Sequence, residues 1–241
     1  MLLDNKTKSN ETGHFRVFDL LSNYVEDGRV DIVTGYFSVA AIARLFDEVN
    51  NARSFRIILG DLLQTEIKHD KIINLLSDCL SVNHAFNLSI SAKKAVEFLK
   101  QEKVRIKTIQ RNFCHAKTYI YKDNDSRKNF QIIGSSNLTG AGLGLKESAN
   151  IELNRAETGD SNDYHELTGW FQALWKSRSA LDKIELADKT KIDCKKYLIN
   201  LICNFYKDYS PEDLYYKVLY ELFKEDLLSI SFMIIGLTHR K

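Results

Sequence analysis

A single proline, Pro211, and only eleven glycines in 241 residues exclude collagen-like and low-complexity architectures. The four cysteines, Cys79, Cys114, Cys194 and Cys203, have neither metal-ligand spacing nor the density of a disulfide framework. The longest apolar run, residues 227–237, is too short to cross a bilayer. The opening residues MLLDNKTKSNETG lack the apolar stretch of a secretion signal. A cytoplasmic chain without membrane attachment is therefore expected. No Gly-x-x-x-x-Gly-Lys-Ser/Thr loop occurs, so the chain carries no P-loop ATPase. A net charge of +2 selects no partner by itself.

Apolar residues make up 44% and charged residues 27%, an ordinary balance for a chain that buries a core. The charge is unevenly spread. Between Lys93 and Lys128 there are eleven basic and four acidic residues, a surplus of seven. Such a surplus favours polyanions, because each phosphate neutralised releases counterions.

Hydrophobic patterning predicts strands at 30–37, 54–60, 104–109, 114–122, 130–135 and 149–154. Helices are expected at 64–80, at 91–102, and after Ser38, a plausible N-cap for the stripe Ile42, Leu45, Phe46 and Val49. From Asp163 to Arg178 the residues Leu167, Trp170, Phe171, Leu174 and Trp175 recur at helical spacing, so both tryptophans are read as core. Strands alternating with helices imply an α/β fold, a mixed β-sheet flanked by helices on both faces, antiparallel in part because 115–155 holds three strands with little helix between them. The expected division is a domain over 1–180 and a helical C-terminal extension over 181–241. In the latter, Ser210 and Pro211 open an amphipathic helix through Phe223.

The chemistry is concentrated in HAKTYIY (115–121), GSSNLTGAG (134–142) and NIEL (150–153). On a strand, His115 and Lys117 share a face about 7 Å apart, while Ala116 and Ile120 face the core. A phosphate between them could be attacked by the imidazole while the ammonium neutralises an oxygen. Gly134 permits close backbone approach, the Ser135 hydroxyl can donate or accept, and the Asn137 amide donates to a phosphate oxygen. A neutral histidine nucleophile needs its second nitrogen oriented by an acceptor, and Glu152 is favoured for this over Glu147. Cys114 is read as a strand residue facing away from the site, and Tyr36 as lying near the sheet's active edge.

His115-Ala-Lys117, Gly134-Ser-Ser-Asn137 and Asn150-Ile-Glu152 together resemble the signature of the phospholipase D superfamily. The likeness is strongest over 115–155 and extends over 30–178, and the flanking GSSNLTGAGL and NIEL look most like the variant in bacterial nucleases and helicase-attached nuclease-like domains. The segment 210–223 is similar to the connector that follows such domains in helicase-bearing chains. The resemblance implies a phospholipase D-like fold and a metal-independent, cofactor-free phosphodiesterase. It also implies His115, Lys117, Asn137, Glu152 and Ser135 as catalytic residues; Gly134, Ser136, Lys122 and Arg111 complete the set expected to contact substrate.

Two departures bear on the substrate. The family's Asp five residues after the lysine is Lys122 here, with Asp123 one further along, which weakens a lipid reading more than a nuclease one. Family enzymes use two His-x-Lys motifs, whereas only one copy here is followed by Gly-Ser-x-Asn; His69-Asp-Lys71 and His239-Arg-Lys241 are not. The resemblance therefore implies a homodimer with the two motifs facing each other across a two-fold axis. A DNA nuclease is expected, in restriction or defence or with a helicase partner. The alternatives are a non-catalytic DNA-binding module and, less favoured, a phospholipid-processing enzyme.

Overall fold

The computed structural model describes residues 1–5, 15–60, 62, 82–109, 114–146, 148, 150–205, 215, 219, 222 and 223, with backbone alone for 82–89, 204 and 205. The expected helix at 64–80, Arg111, Glu147 and most of the helix proposed for 210–223 lie outside them; Tyr215, Leu219, Leu222 and Phe223 are helical.

In chain order the elements are β1 (Leu2–Asp4), α1 (Val17–Tyr24), β2 (Arg29–Thr34), α2 (Val39–Glu48), β3 (Ser54–Leu59), α3 (Val82–Lys100), β4 (Val104–Ile109), β5 (Thr118–Lys122), β6 (Phe130–Gly134), β7 (Leu153–Thr158), α4 (Asn162–Lys176), β8 (Ala180–Leu181), β9 (Lys183–Glu185), β10 (Lys191–Asp193) and α5 (Cys194–Phe205). Eight strands form one sheet in the order β1-β7-β6-β5-β2-β3-β4-β8, and β9 and β10 form a separate hairpin. The β2, β3 and β4 strands run parallel, as crossover connections through helices require. The β5, β6, β7 and β1 strands are antiparallel to their neighbours. Strand direction thus reverses between β2 and β5. The sheet is mixed, with helices on both faces, as expected.

Alternation along each strand builds two cores. Val30 and Ile32 of β2, Tyr119 and Tyr121 of β5, and Phe130 and Ile132 of β6 pack with buried residues of α1, α2, α3 and α5. The intervening positions Val33, Ile58, Ile109 and Ile120 pack under Tyr164, Phe171 and Trp175 of α4. Beneath α4, Asp31 is buried and accepts hydrogen bonds from Arg56 Nε at 2.7 Å and Arg29 Nε at 3.1 Å. The Arg56 guanidinium also lies over the Phe171 and Trp175 rings, at 4.8 and 5.4 Å from their centroids. The sequence periodicity located this helix but overstated its apolar face: Trp175 is core, whereas Trp170 is exposed.

Other boundaries also differ from the sequence reading: β2 ends at Thr34 rather than 37, and α3 begins at Val82 rather than 91. The strand after GSSN starts at Leu153 rather than 149, so Asn150 and Glu152 stand in the approach to it. His115 and Lys117 likewise precede β5, although the Lys117 carbonyl still accepts the Gly134 N–H at 3.3 Å. Beyond residue 180 the chain is not helix alone. β8 pairs with β4, and Ile184, Cys194, Tyr197, Leu198 and Ile202 enter the larger core. The short edge strand β1 went unread because three residues give no period to detect.

Candidate active site at the strand-reversal rim

The pairings Val33↔Thr118, Thr118↔Ile133 and Gly134↔Asn154 bring the end of β2, the start of β5, the end of β6 and the start of β7 to one rim of the sheet. Open α/β sheets place ligands at such an edge, beside the point where the topology switches. His115, Lys117, Ser135, Asn137 and Glu152 are all brought to this rim.

His115 is exposed. Lys117 is 5% exposed, and its ammonium donates to the His115 carbonyl at 2.6 Å. Burial lowers the lysine pKa below its usual value, and the negative charge of Glu152, with smaller contributions from Tyr36 and Cys114, offsets part of that fall. Glu152 is therefore the electrostatic counterpart of Lys117. Its field also adds to the burial that drives the Tyr119 phenol pKa well up. Cys114, expected to face away, packs with the α4-side core yet lies within electrostatic reach of Lys117.

Asn137 is oriented by a buried hub at the end of β2. Its Oδ1 accepts the Tyr36 N–H at 3.1 Å and lies 3.3 Å from Thr34 Oγ1. The Thr34 hydroxyl donates to the Tyr36 carbonyl at 2.6 Å and accepts the Leu138 N–H at 3.0 Å. With Oδ1 committed, the amide's donor end is the one available to an anion. The Ser38 N–H donates to the Leu138 carbonyl at 2.9 Å, closing the β2 loop against the GSSNL loop. Thr34 was absent from the sequence reading; it reads as an ordinary strand residue, and no local pattern marks it.

The small residues of GSSNLTGAG have mostly internal duties. A Cβ on Gly134 would lie 2.4 Å from Asn154 Oδ1 and 2.5 Å from the Leu153 carbonyl, so the close approach that requires glycine is to β7. A Cβ on Gly142 would lie 2.3 Å from the Asn137 carbonyl. Ser135 is exposed, and its Oγ accepts the Leu153 N–H at 3.0 Å. The expectation that Ser136 contacts substrate is revised. It is 0% exposed, its Oγ accepts Asn154 Nδ2 at 2.8 Å, and its carbonyl accepts the Tyr119 hydroxyl at 3.0 Å.

Lys122 is also revised. It ends β5 opposite Arg29, roughly 20 Å along the strand from His115. Asp123, at the same far rim, accepts the Tyr121 hydroxyl and the Asp125 N–H. The basic segment that sequence reading gathered around the motif is dispersed: Lys94 pairs with Asp47, Arg127 with Asp125, Lys128 with Glu26, and Lys107 with Asp182. Among the described residues, no three His, Cys, Asp or Glu side chains are grouped to hold a metal ion, and no helix is long and apolar enough to cross a membrane.

A family-model match places the chain among phospholipase D-like proteins, of the superfamily that acts on phosphodiesters. The family profile described as "Cardiolipin synthase, PLD-like domain" matches residues 27–175, well over half the chain, and the chain belongs to that family. No curated protein sequence matches it. Among solved structures, Nuc from Salmonella typhimurium, a phospholipase D family member, is similar with a TM-score of 0.43 and 10% identity, over 75% of this chain and 95% of its own. Phosphatidylserine synthase from Haemophilus influenzae Rd KW20 gives a TM-score of 0.45 and 15% identity, over 94% of this chain and 45% of its own.

Proposed function

We propose that the protein is a metal-independent DNA nuclease that works through a phosphohistidine in a site shared by two copies of the chain. The observation that carries the reading is the meeting of His115, Lys117, Asn137 and Glu152, drawn from separate loops, at the rim where strand direction reverses. One His115 imidazole attacks phosphorus, forming a P–N bond as the P–O bond to the leaving alcohol breaks. The second copy's His115 gives that alcohol its proton, then takes a proton from the water that cleaves the P–N bond. Lys117 and the Asn137 amide stabilise charge developing on the phosphoryl oxygens, and Ser135 adds a hydroxyl at the exposed lip. Glu152 holds positive charge in place on the histidine and lysine side of the site.

A DNA substrate is supported by the exposure of His115 and Ser135, which leaves the rim open to a polymer, and by the nuclease-like form of the flanking motifs. A restriction or helicase-associated setting rests on sequence likeness alone. A phospholipid is the second reading, favoured by the exposed Ile133, Ile151 and Leu153 beside the Ser135 and Glu152 loops and by the family's description.

The test compares DNA cleavage in EDTA with headgroup release from phosphatidylglycerol vesicles, for the parent and for His115→Ala. EDTA-resistant DNA cleavage lost in His115→Ala supports the nuclease. Turnover of vesicles alone moves the protein to the lipid reading. Salt-sensitive DNA binding with no cleavage identifies a binding module, and a monomer that cleaves at full rate removes the shared site.

A further inference from the structure

The acid at the rim sits in the approach to β7 rather than in the ladder, so something other than strand pairing must hold it. Asn5, at the end of β1, is 5% exposed, and among the described residues its carboxamide bonds to backbone far away in sequence. Its Nδ2 donates to the Asn150 carbonyl at 3.0 Å and the Ala141 carbonyl at 3.2 Å. Its Oδ1 accepts the N–H of Glu152 at 3.0 Å. One buried side chain thus joins both ends of the segment that leads from the GSSN loop to the acid. A buried amide with every arm satisfied fixes backbone position strongly, because each lost bond strands a polar group away from water.

We propose that Asn5 is a positioning residue of the candidate site, fixing the backbone at Glu152 so that its carboxylate stays within electrostatic reach of Lys117. The inference rests on the phosphodiesterase reading only for its kinetic consequence; the structural claim stands apart from it. The groups acting on Lys117 are Glu152, Tyr36 and Cys114, with the His115 carbonyl accepting its proton. Burial depresses the lysine pKa and Glu152 opposes that depression. Releasing Glu152 lets the value fall further, so activity that needs a protonated Lys117 is lost at lower pH.

The test uses the full chain as the parent, Asn5→Ala, Glu152→Gln and the double variant. Amide hydrogen exchange is read first, because it needs no activity. In Asn5→Ala the Glu152 amide exchanges about 10-fold faster or more, while the β2 and β5 amides keep their protection; unchanged exchange at Glu152 overturns the proposal. Hydrolysis of bis(p-nitrophenyl) phosphate in EDTA is then followed against pH. Asn5→Ala is expected to lower kcat about 10-fold and to move the alkaline limb downward, and both effects should vanish in the Glu152→Gln background, since residues acting through one another are not additive. An unmoved limb, or equal losses in both backgrounds, overturns the proposal. Should Asn5→Ala not fold, Asn5→Ser, whose shorter neutral side chain cannot reach Asn150, Ala141 and Glu152 together, is read in the same two assays: faster exchange at the Glu152 amide with a lowered limb supports the proposal, and parent-like exchange there overturns it. A parent that hydrolyses nothing sinks the phosphodiesterase reading while leaving the exchange result to decide the role of Asn5.

Discussion

The two rims of the sheet hold similar residue types and use them in opposite ways. At the far rim, Arg127 pairs with Asp125 at 2.8 Å and Lys128 with Glu26 at 2.6 Å, all beside water. Such pairs are worth about 0–1 kcal/mol and leave little free charge to attract a ligand. At the other rim a lysine is buried against the backbone of the segment just before β5, a carboxylate offsets part of the cost, and Asn137 has its acceptor end consumed by the β2 loop. The contrast teaches that the number of charges in a segment says little about function. What matters is whether burial and hydrogen bonding have fixed a polar group in one orientation facing a place where substrate can enter.

The sharpest way to break this comparison is His115→Ala. The residue is exposed, so stability should change by only about 0.5 kcal/mol, while EDTA-resistant phosphodiester cleavage should fall at least about 10³-fold. A single-turnover assay and a urea titration on the same sample read both. Asn137→Ala removes a fixed donor and is expected to cost about 10²–10³ in kcat, with some loss of stability because Tyr36 N–H loses its partner.

Away from both rims, Asp31→Ala strands the Arg56 guanidinium beneath α4. It should cost about 3–5 kcal/mol in urea unfolding, leaving the kcat of the folded fraction near the parent's. The pH dependence gives a smaller, directional signal. The Lys117 pKa is lowered by burial from its usual 10.5, so the alkaline limb of a pH–rate profile should lie below that value. The sign for stability follows. Between the lowered folded value and 10.5 the unfolded chain binds more protons, so the lysine's contribution to stability rises with pH through that window. Smallest of all, Lys128→Ala at the far rim should change cleavage less than about 2-fold and stability by about 0–1 kcal/mol. A large loss of cleavage there would undo the distinction between the rims.

Much of this was legible beforehand, for definite reasons. Residues 54–59 and 104–109 announce their strands by short apolar runs bounded by turns, and Ser38 announces its helix, its Oγ accepting the Ala41 N–H at 3.2 Å. The candidate triplets stood out because histidine, lysine, asparagine and glutamate fall within a short span, and the structure brings them to one rim. Lys122 and Ser136 were misjudged because sequence proximity cannot tell one end of a strand from the other, nor an inward hydroxyl from an outward one. Arg111 and the rival acid Glu147 fall outside the described residues.

The sequence by itself determined the residue types at the site and the α/β alternation, since both depend on local spacing and side-chain chemistry. Only the tertiary structure decided which of those residues meet. Strand register carried Lys122 and Asp123 to the far rim, the antiparallel return of β6 and β7 brought Asn137 and Glu152 to His115 and Lys117, and the edge strand β1 placed Asn5 behind the acid. Contacts between residues more than a hundred positions apart leave no periodic trace along the chain, because they arise from the packing of whole elements rather than from any local preference.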